Sequence, residues 1–478
     1  MTGDVPHRSS KHFVVLAVVF LTSATVAVIT SLYWLLFVPF GFLLFYAGWQ
    51  QWQIVFYLLI FFLPWSIEFS FSSSLATDLP DEPIMWLTTL LFFAYFLFTP
   101  SEIFSKAKHP LVILLLCSLA WIIVTVFFST DWLISLKFLL AKSWYMVAFV
   151  FAPLLFFVNK RTIAGVAIVF FASMLLVTMI SLCRHSLYGF RFANVNDAIS
   201  PFFRNHVNYS AMLVCTVPVL TAFYQLNKKY RSIVIAAMVI VLVALFFSFS
   251  RGAWLAFVIG LLSYWLIQKR KLLIAFVIVI VLTISSMFWL SSNDRYLHYA
   301  HDYRTTIFHK NFQEHLIATY KLKDVSTAER FNRWIAGVRM IKDNWLTGIG
   351  PNTFYYNYKP YAIPAFRTWV SDNKEHSTIH NYFLFVLIEQ GVPGLLLFLF
   401  IIGAMIYYAE KIYHHTEDKF YKATALACGV LTMMIVAVNF LSDLIETDKV
   451  GSLFFLCLAI LVSIDLKTRS QPRPTGIF

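Results

Sequence analysis

Charge is what this sequence has least of. Only 13% of its 478 residues are Asp, Glu, Lys or Arg, while 60% are hydrophobic. Soluble domains carry roughly twice that share of charge, which excludes a soluble enzyme with a membrane tail. The five cysteines (Cys117, Cys183, Cys215, Cys428, Cys457) are odd in number and lack metal-ligand spacing. Neither a disulfide scaffold nor a zinc site follows from them. No set of carboxylates and histidines has cation-ligand spacing. Asp78 and Asp81 lie in an exposed turn, and His298, His301, His309 and His315 are scattered. We therefore expect no cofactor and no metal. Glu68 and Glu389 are intramembrane acids too isolated for a proton relay, and there is no inverted repeat, which weighs against a secondary transporter. The formal charge of +13 sits in short clusters between apolar runs, so no nucleic-acid-binding stripe emerges from it.

Long apolar runs are abundant. Runs of about 18 residues or more recur along the chain, and their length excludes the short alternating strands of a membrane barrel. Candidate spans lie near 13–30, 32–48, 53–70, 84–99, 110–128, 143–158, 162–182, 208–226, 232–249, 252–267, 271–290, 381–408, 420–440 and 450–466. The fold class is an all-α polytopic membrane protein of 12–14 transmembrane helices, with twelve spans if one adjacent pair is re-entrant. The first span follows Arg8 and Lys11 without a convincing cleavage site, so it reads as uncleaved. The clusters at 159–161, 228–231 and 269–271 face the cytoplasm by the positive-inside rule. The acidic loops with Asp78, Asp81, Glu82 and with Asp443, Glu446, Asp448 then fall outside. The organisation is N-terminal helices 1–182, central helices 183–291 with an outer loop 183–208, a large outer loop 292–379, C-terminal helices 380–466 and a cytoplasmic tail 467–478. The large loop is too long for a connector. Within it Ser326-Thr327-Ala328-Glu329 reads as a capping box, and Phe331, Trp334, Ile335, Val338 and Ile341 form a helical stripe for the membrane or the bundle.

Two features on the outer side carry chemistry. His380-Asn381 opens the run "HNYFLFVLIEQGVPG". On a straight helix Gly391 lies about 20° from the face of His380 and about 16 Å deeper, with Gly394 close by. That face presents an imidazole above a groove free of side chains. The same glycines read equally well as close packing between helices, with the histidine at the interface. The second feature is arginine, whose fork suits phosphate and whose cost at membrane depth is high. Arg251 opens a span against the positive-inside rule. Arg191 and Arg204 lie in the loop 183–208, and Arg330 lies on the stripe helix. Arg333 and Arg339 read as headgroup anchors. Together they describe a basic, histidine-bearing outer cavity suited to a lipid-linked diphosphate. A flippase-like lipid carrier is the competing reading.

His380-Asn381, nine residues and Gly391-Val-Pro-Gly394 resemble the H-[NSQ]-x9-G-x-x-[GTY] signature of O-antigen ligases. Arg251-Gly-Ala-Trp-Leu255 is similar to their R-x-x-x-L element, and "ERFNRWIAGVRMIKDNWLTGIGPNTF" resembles the segment before the histidine across the O-antigen ligase and polymerase superfamily. The resemblance covers about residues 180–460. It implies a helical fold akin to C-type glycosyltransferases, at the periplasmic face of the bacterial inner membrane. It also implies inverting, metal-independent transfer of a glycan from undecaprenyl diphosphate to the lipid A-core. The alternative is polymerase activity, with a lipid-linked glycan as acceptor. Carried over, His380 is the general base, Arg251 and Arg330 hold the diphosphate, and Arg191 or Arg204 adds a contact. Asn381 supports the helix start, and Gly391 and Gly394 support the span.

Overall fold

The computed structural model describes scattered positions between residues 18 and 50, and then residues 51–72, 75–157, 159–299, 325–363 and 378–469. Most of the first two expected spans, and His301, His309 and His315, lie outside the described residues. The labelled helices are α1 (Trp52–Phe62), α2 (Asp81–Phe98), α3 (Pro110–Phe127), α4 (Trp132–Met146), α5 (Lys160–Leu187), α6 (His206–Leu226), α7 (Arg231–Phe247), α8 (Arg251–Gln268), α9 (Leu272–Ser291), α10 (Val325–Asp343), α11 (Tyr382–His415), α12 (Lys419–Asn439) and α13 (Asp448–Arg469). Among the described residues eleven helices are long and apolar enough to cross a membrane. The chain is an all-α polytopic membrane protein, as expected. In an apolar medium a helix satisfies its backbone groups within the segment, which is why these runs fold so.

The expected spans at 53–70 and 143–158 need correction. The first stops early: α1 and a turn to Trp65 give way to strands β1 (Ile67–Ser72) and β2 (Leu75–Leu79), paired antiparallel with Ile67 opposite Leu79. Glu68 therefore lies on a hairpin, and is not an intramembrane acid. The run "IEFSFS" alternates polar and apolar residues, and that period of two outweighs its overall greasiness. The second is the latter part of a longer span, Trp132–Phe156, which α4 enters and a π-helical turn at Val147–Phe151 continues.

The bundle has a clear centre. Helix α13 is the most enclosed, with 89% of its apolar window buried, and α9 the most peripheral at 11%. Helix α12 packs against α8, α11 and α6, while α3 lies along α11. The basic clusters gather at one end. There Lys160 pairs with Asp418, Leu272 N donates to Glu410 (2.8 Å), and Asp465 takes Lys411 (2.9 Å), Arg469 (2.6 Å) and His109 (3.2 Å).

Candidate active site

The opposite end is shaped by a break inside α11. Gly391 has φ 70° and ψ −174° in the middle of that helix. In a straight helix Tyr382 and Phe398 would stand about 24 Å apart, yet their rings are 4.9 Å apart and edge-on. Phe383 also meets Phe398, at 5.7 Å. The chain therefore doubles back at Gly391, and Tyr382–Gln390 rises antiparallel to the start of the long arm. Gly391 is the corner, and His380, two residues before Tyr382, lies below it, near the level of Phe398.

This overturns the groove expected beneath His380. Gly391 is above the histidine, and its bare face is filled by backbone. A Cβ there would come within 2.1 Å of the Leu346 carbonyl oxygen. Gly394 is likewise a packing site, covered by Gln390 and by Trp121, whose indole donates to the Gln390 carbonyl (2.7 Å). The turn Gly348-Ile349-Gly350 docks on the corner through Ile349 N to Ile388 O (3.0 Å) and Gly350 N to Glu389 O (3.1 Å). Fully buried Glu389 accepts the next amides, from Asn352 (2.6 Å) and Phe354 (3.1 Å). The role of this acid is to hold the turn.

His380 itself has φ 54°, in the sparsely populated left-handed region that non-glycine residues occupy at a cost. Neighbours hold it there. Asn381 caps the helix by accepting from Leu384 N (3.0 Å), the helix-start role expected of it. On the other side Arg333 donates to the Thr378 carbonyl (2.6 Å) and Trp334 to the Ile379 carbonyl (3.1 Å). Arg333 is 1% exposed and paired with Glu329 at 2.7 Å. It is a buried clamp, which corrects the headgroup-anchor expectation. Exposed Arg339 donates to the Tyr361 carbonyl (3.1 Å). Helix α10 buries Glu329, Asn332, Arg333, Ala336 and Met340, and its apolar stripe is only half-buried. Periodicity of apolar residues picked the wrong face because an ion pair can be buried as well as a leucine.

His380 Nδ1 lies 4.0 Å from Asp443 Oδ1. Thr378 donates its hydroxyl to the other oxygen of Asp443. Burial pushes the His380 pKa down to about 3, and the charges of Arg330 and Arg333 push the same way, against Glu329. With 37% of the side chain open, solvent screens part of that push. The direction is toward a neutral imidazole, the form that can accept a proton. Burial pushes the Asp443 carboxyl up, opposed by Thr378, Arg333 and Arg204.

Two of the expected arginines, Arg330 and Arg204, act on this pair. Arg330 acts on His380 through its charge. Arg204 acts on Asp443, and its loop is fixed by Lys449, which donates to the Phe202 carbonyl, and by the Asn205 cap of α6. Arg251 is the first residue of α8, and a Cβ on adjacent Gly252 would touch Leu441, two residues before Asp443. Leu255 of the R-x-x-x-L element is 52% exposed. Arg191 is exposed one residue before Phe192, which meets Phe249 at 5.5 Å. Asp443 was legible only as a topology marker, because a Ser-Asp pair between two apolar runs says nothing about which distant residue it meets.

A family model described as O-antigen ligase matches residues 236–399, which take in Arg251, Arg330 and His380. The chain is also 27% identical over 256 residues to an O-antigen ligase of Salmonella typhimurium, 52% of this chain and 57% of that protein. Both likenesses support the O-antigen ligase superfamily. The match spans about half the length of that curated relative. The superfamily region ends within α11, so Asp443 and its loop lie beyond it, and Arg191 and Arg204 lie before it.

Proposed function

We propose that this protein is an O-antigen ligase acting at the periplasmic face of the bacterial inner membrane. Its donor is a glycan on undecaprenyl diphosphate and its acceptor a hydroxyl of the lipid A-core, with membrane lipids around both. The observation that carries the proposal is His380 Nδ1 4.0 Å from Asp443, with the charges of Arg330 and Arg204 acting on the pair. Nδ1 faces the carboxyl group, so Nε2 is left to face substrate. The acceptor hydroxyl gives its proton to Nε2 as its oxygen attacks the anomeric carbon. The bond from that carbon to the diphosphate oxygen breaks on the opposite side, and the configuration inverts. Arg251 and Arg330, with Arg204 nearer the pair than Arg191, neutralise the leaving diphosphate. With the arginines in that role the reaction needs no metal ion, and transfer is expected to persist in chelator. The basic end of the bundle faces the cytoplasm.

The test is His380→Ala in a strain deleted for the gene. Surface polysaccharide is expected to vanish while the protein still inserts in the membrane, and normal polysaccharide would sink the assignment. A gel of the lipopolysaccharide from the deletion strain reads the acceptor. Bare core with free lipid-linked polymer marks a ligase, and core carrying a single repeat unit marks a polymerase.

A further inference from the structure

Lys142 is out of place in an apolar span, and a charge there is costly unless it serves something. It lies in α4, on the N-terminal side of the chain, and is 7% exposed. Its ammonium bonds both carboxylate oxygens of Glu446 at 2.9 Å. The ring centroids of Phe455, Phe138 and Tyr145 stand 5.2, 5.8 and 5.9 Å away. Glu446 takes a third hydrogen bond, from the hydroxyl of buried Tyr382 (2.5 Å).

The two partners of Lys142 belong to the two segments that make the site. Tyr382 follows His380 by two residues, and its backbone N–H donates to the Ser442 carbonyl (3.0 Å). Glu446 follows Asp443 by three residues and donates its own N–H to the Asp443 carbonyl (3.0 Å). Ile445 N is held by the Asn439 side chain (3.0 Å), so the turn Leu444–Glu446 moves as one piece. Beneath lies a cavity bordered by Lys142, Tyr382, Gln390, Gly394 and Phe398.

We propose that Lys142, Glu446 and Tyr382 are positioning residues of the transfer reaction. They pin the His380 segment to the Asp443 turn from below and set the separation of imidazole and carboxylate. None of the three touches substrate; each acts through His380 or Asp443. Lys142 and Glu446 both lie outside the superfamily match at 236–399. This inference rests on the reading of His380 as the base.

The test uses the purified full-length protein in lipid nanodiscs with a lipid-diphosphate-linked glycan donor and a lipid A-core acceptor. Tyr382→Phe and Lys142→Met are compared with His380→Ala, and each is also followed by thermal unfolding. Turnover (kcat) is expected to fall roughly tenfold or more in the first two, because misplacing a catalytic group by about 1 Å costs up to about a hundredfold. Donor KM stays within about twofold, since the arginines are untouched; Tm stays near wild type in Tyr382→Phe, which keeps every charge paired, and falls in Lys142→Met, which strips Glu446 of its cation. The conservative Lys142→Arg recovers turnover. Wild-type kcat in both Tyr382→Phe and Lys142→Met, with His380→Ala inactive, overturns the positioning role alone. Loss of Tm in parallel with activity in Tyr382→Phe, or no recovery of turnover in Lys142→Arg, also overturns it by showing a merely structural contact. Transfer surviving in His380→Ala overturns the function itself.

Discussion

At the scale of single residues, the candidate site is a histidine whose surroundings favour the neutral form. Its folded pKa lies below the ordinary value near 6.5, so the base stays deprotonated as pH falls through that value. Activity lost on acidification is lost only at lower pH. Replacing Arg330 by Gln removes one of the positive charges that depress it. The acid limb of kcat/KM should move to higher pH, and a profile extended to about pH 3 checks this; an unmoved or lowered limb contradicts the electrostatic account. Asn381→Ala removes the cap on Leu384 N and should cost about 1 kcal/mol, read as a fall in Tm in detergent. His380, Arg251 and Arg330 were legible because their motifs are short and spaced along the chain. Asp443 and Arg333 were not. One is a loop aspartate whose partner is set by folding, and the other looks solvent-facing until its ion pair with Glu329 is seen.

At the scale of elements, helix length and apolarity were plain in the sequence, and direction was not. The run from Tyr382 to His415 reads as one periodic helix, and periodicity is blind to one residue at φ 70°. What betrays the corner is the pairing of Gly391 with the Gly348–Gly350 turn. A Cβ on Gly348 would come within 2.4 Å of the Glu389 backbone, just as one on Gly391 would strike Leu346. Gly391→Ala combines that collision with a φ that favours glycine, and should abolish recovery of folded protein. Gly403→Ala, further down the same helix, meets only Leu273 at 3.9 Å and should be tolerated. Yields of monodisperse protein from the two variants provide the comparison, and equal yields contradict the corner.

At the scale of the whole molecule, the two ends differ in charge and so in the side they face. In a background with the five cysteines replaced, Glu68→Cys on the hairpin should react with a membrane-impermeant maleimide in cells with a permeabilised outer membrane. Glu417→Cys, at the basic end, should react only after the inner membrane is broken. The reverse pattern would invert the topology and contradict the proposed periplasmic site. The doubled-back arm at Gly391 has a consequence for what the protein can distinguish. A sugar joined to a lipid through a diphosphate hangs on a short tether that starts in the bilayer. A proposed reaction point at His380, beneath the corner, shortens the tether required. Only the sugar beside the diphosphate has to descend, and the remainder of a glycan stays above. On the proposed function, a donor of one repeat and a donor of many then present the same few atoms to His380, so turnover should be indifferent to polymer length.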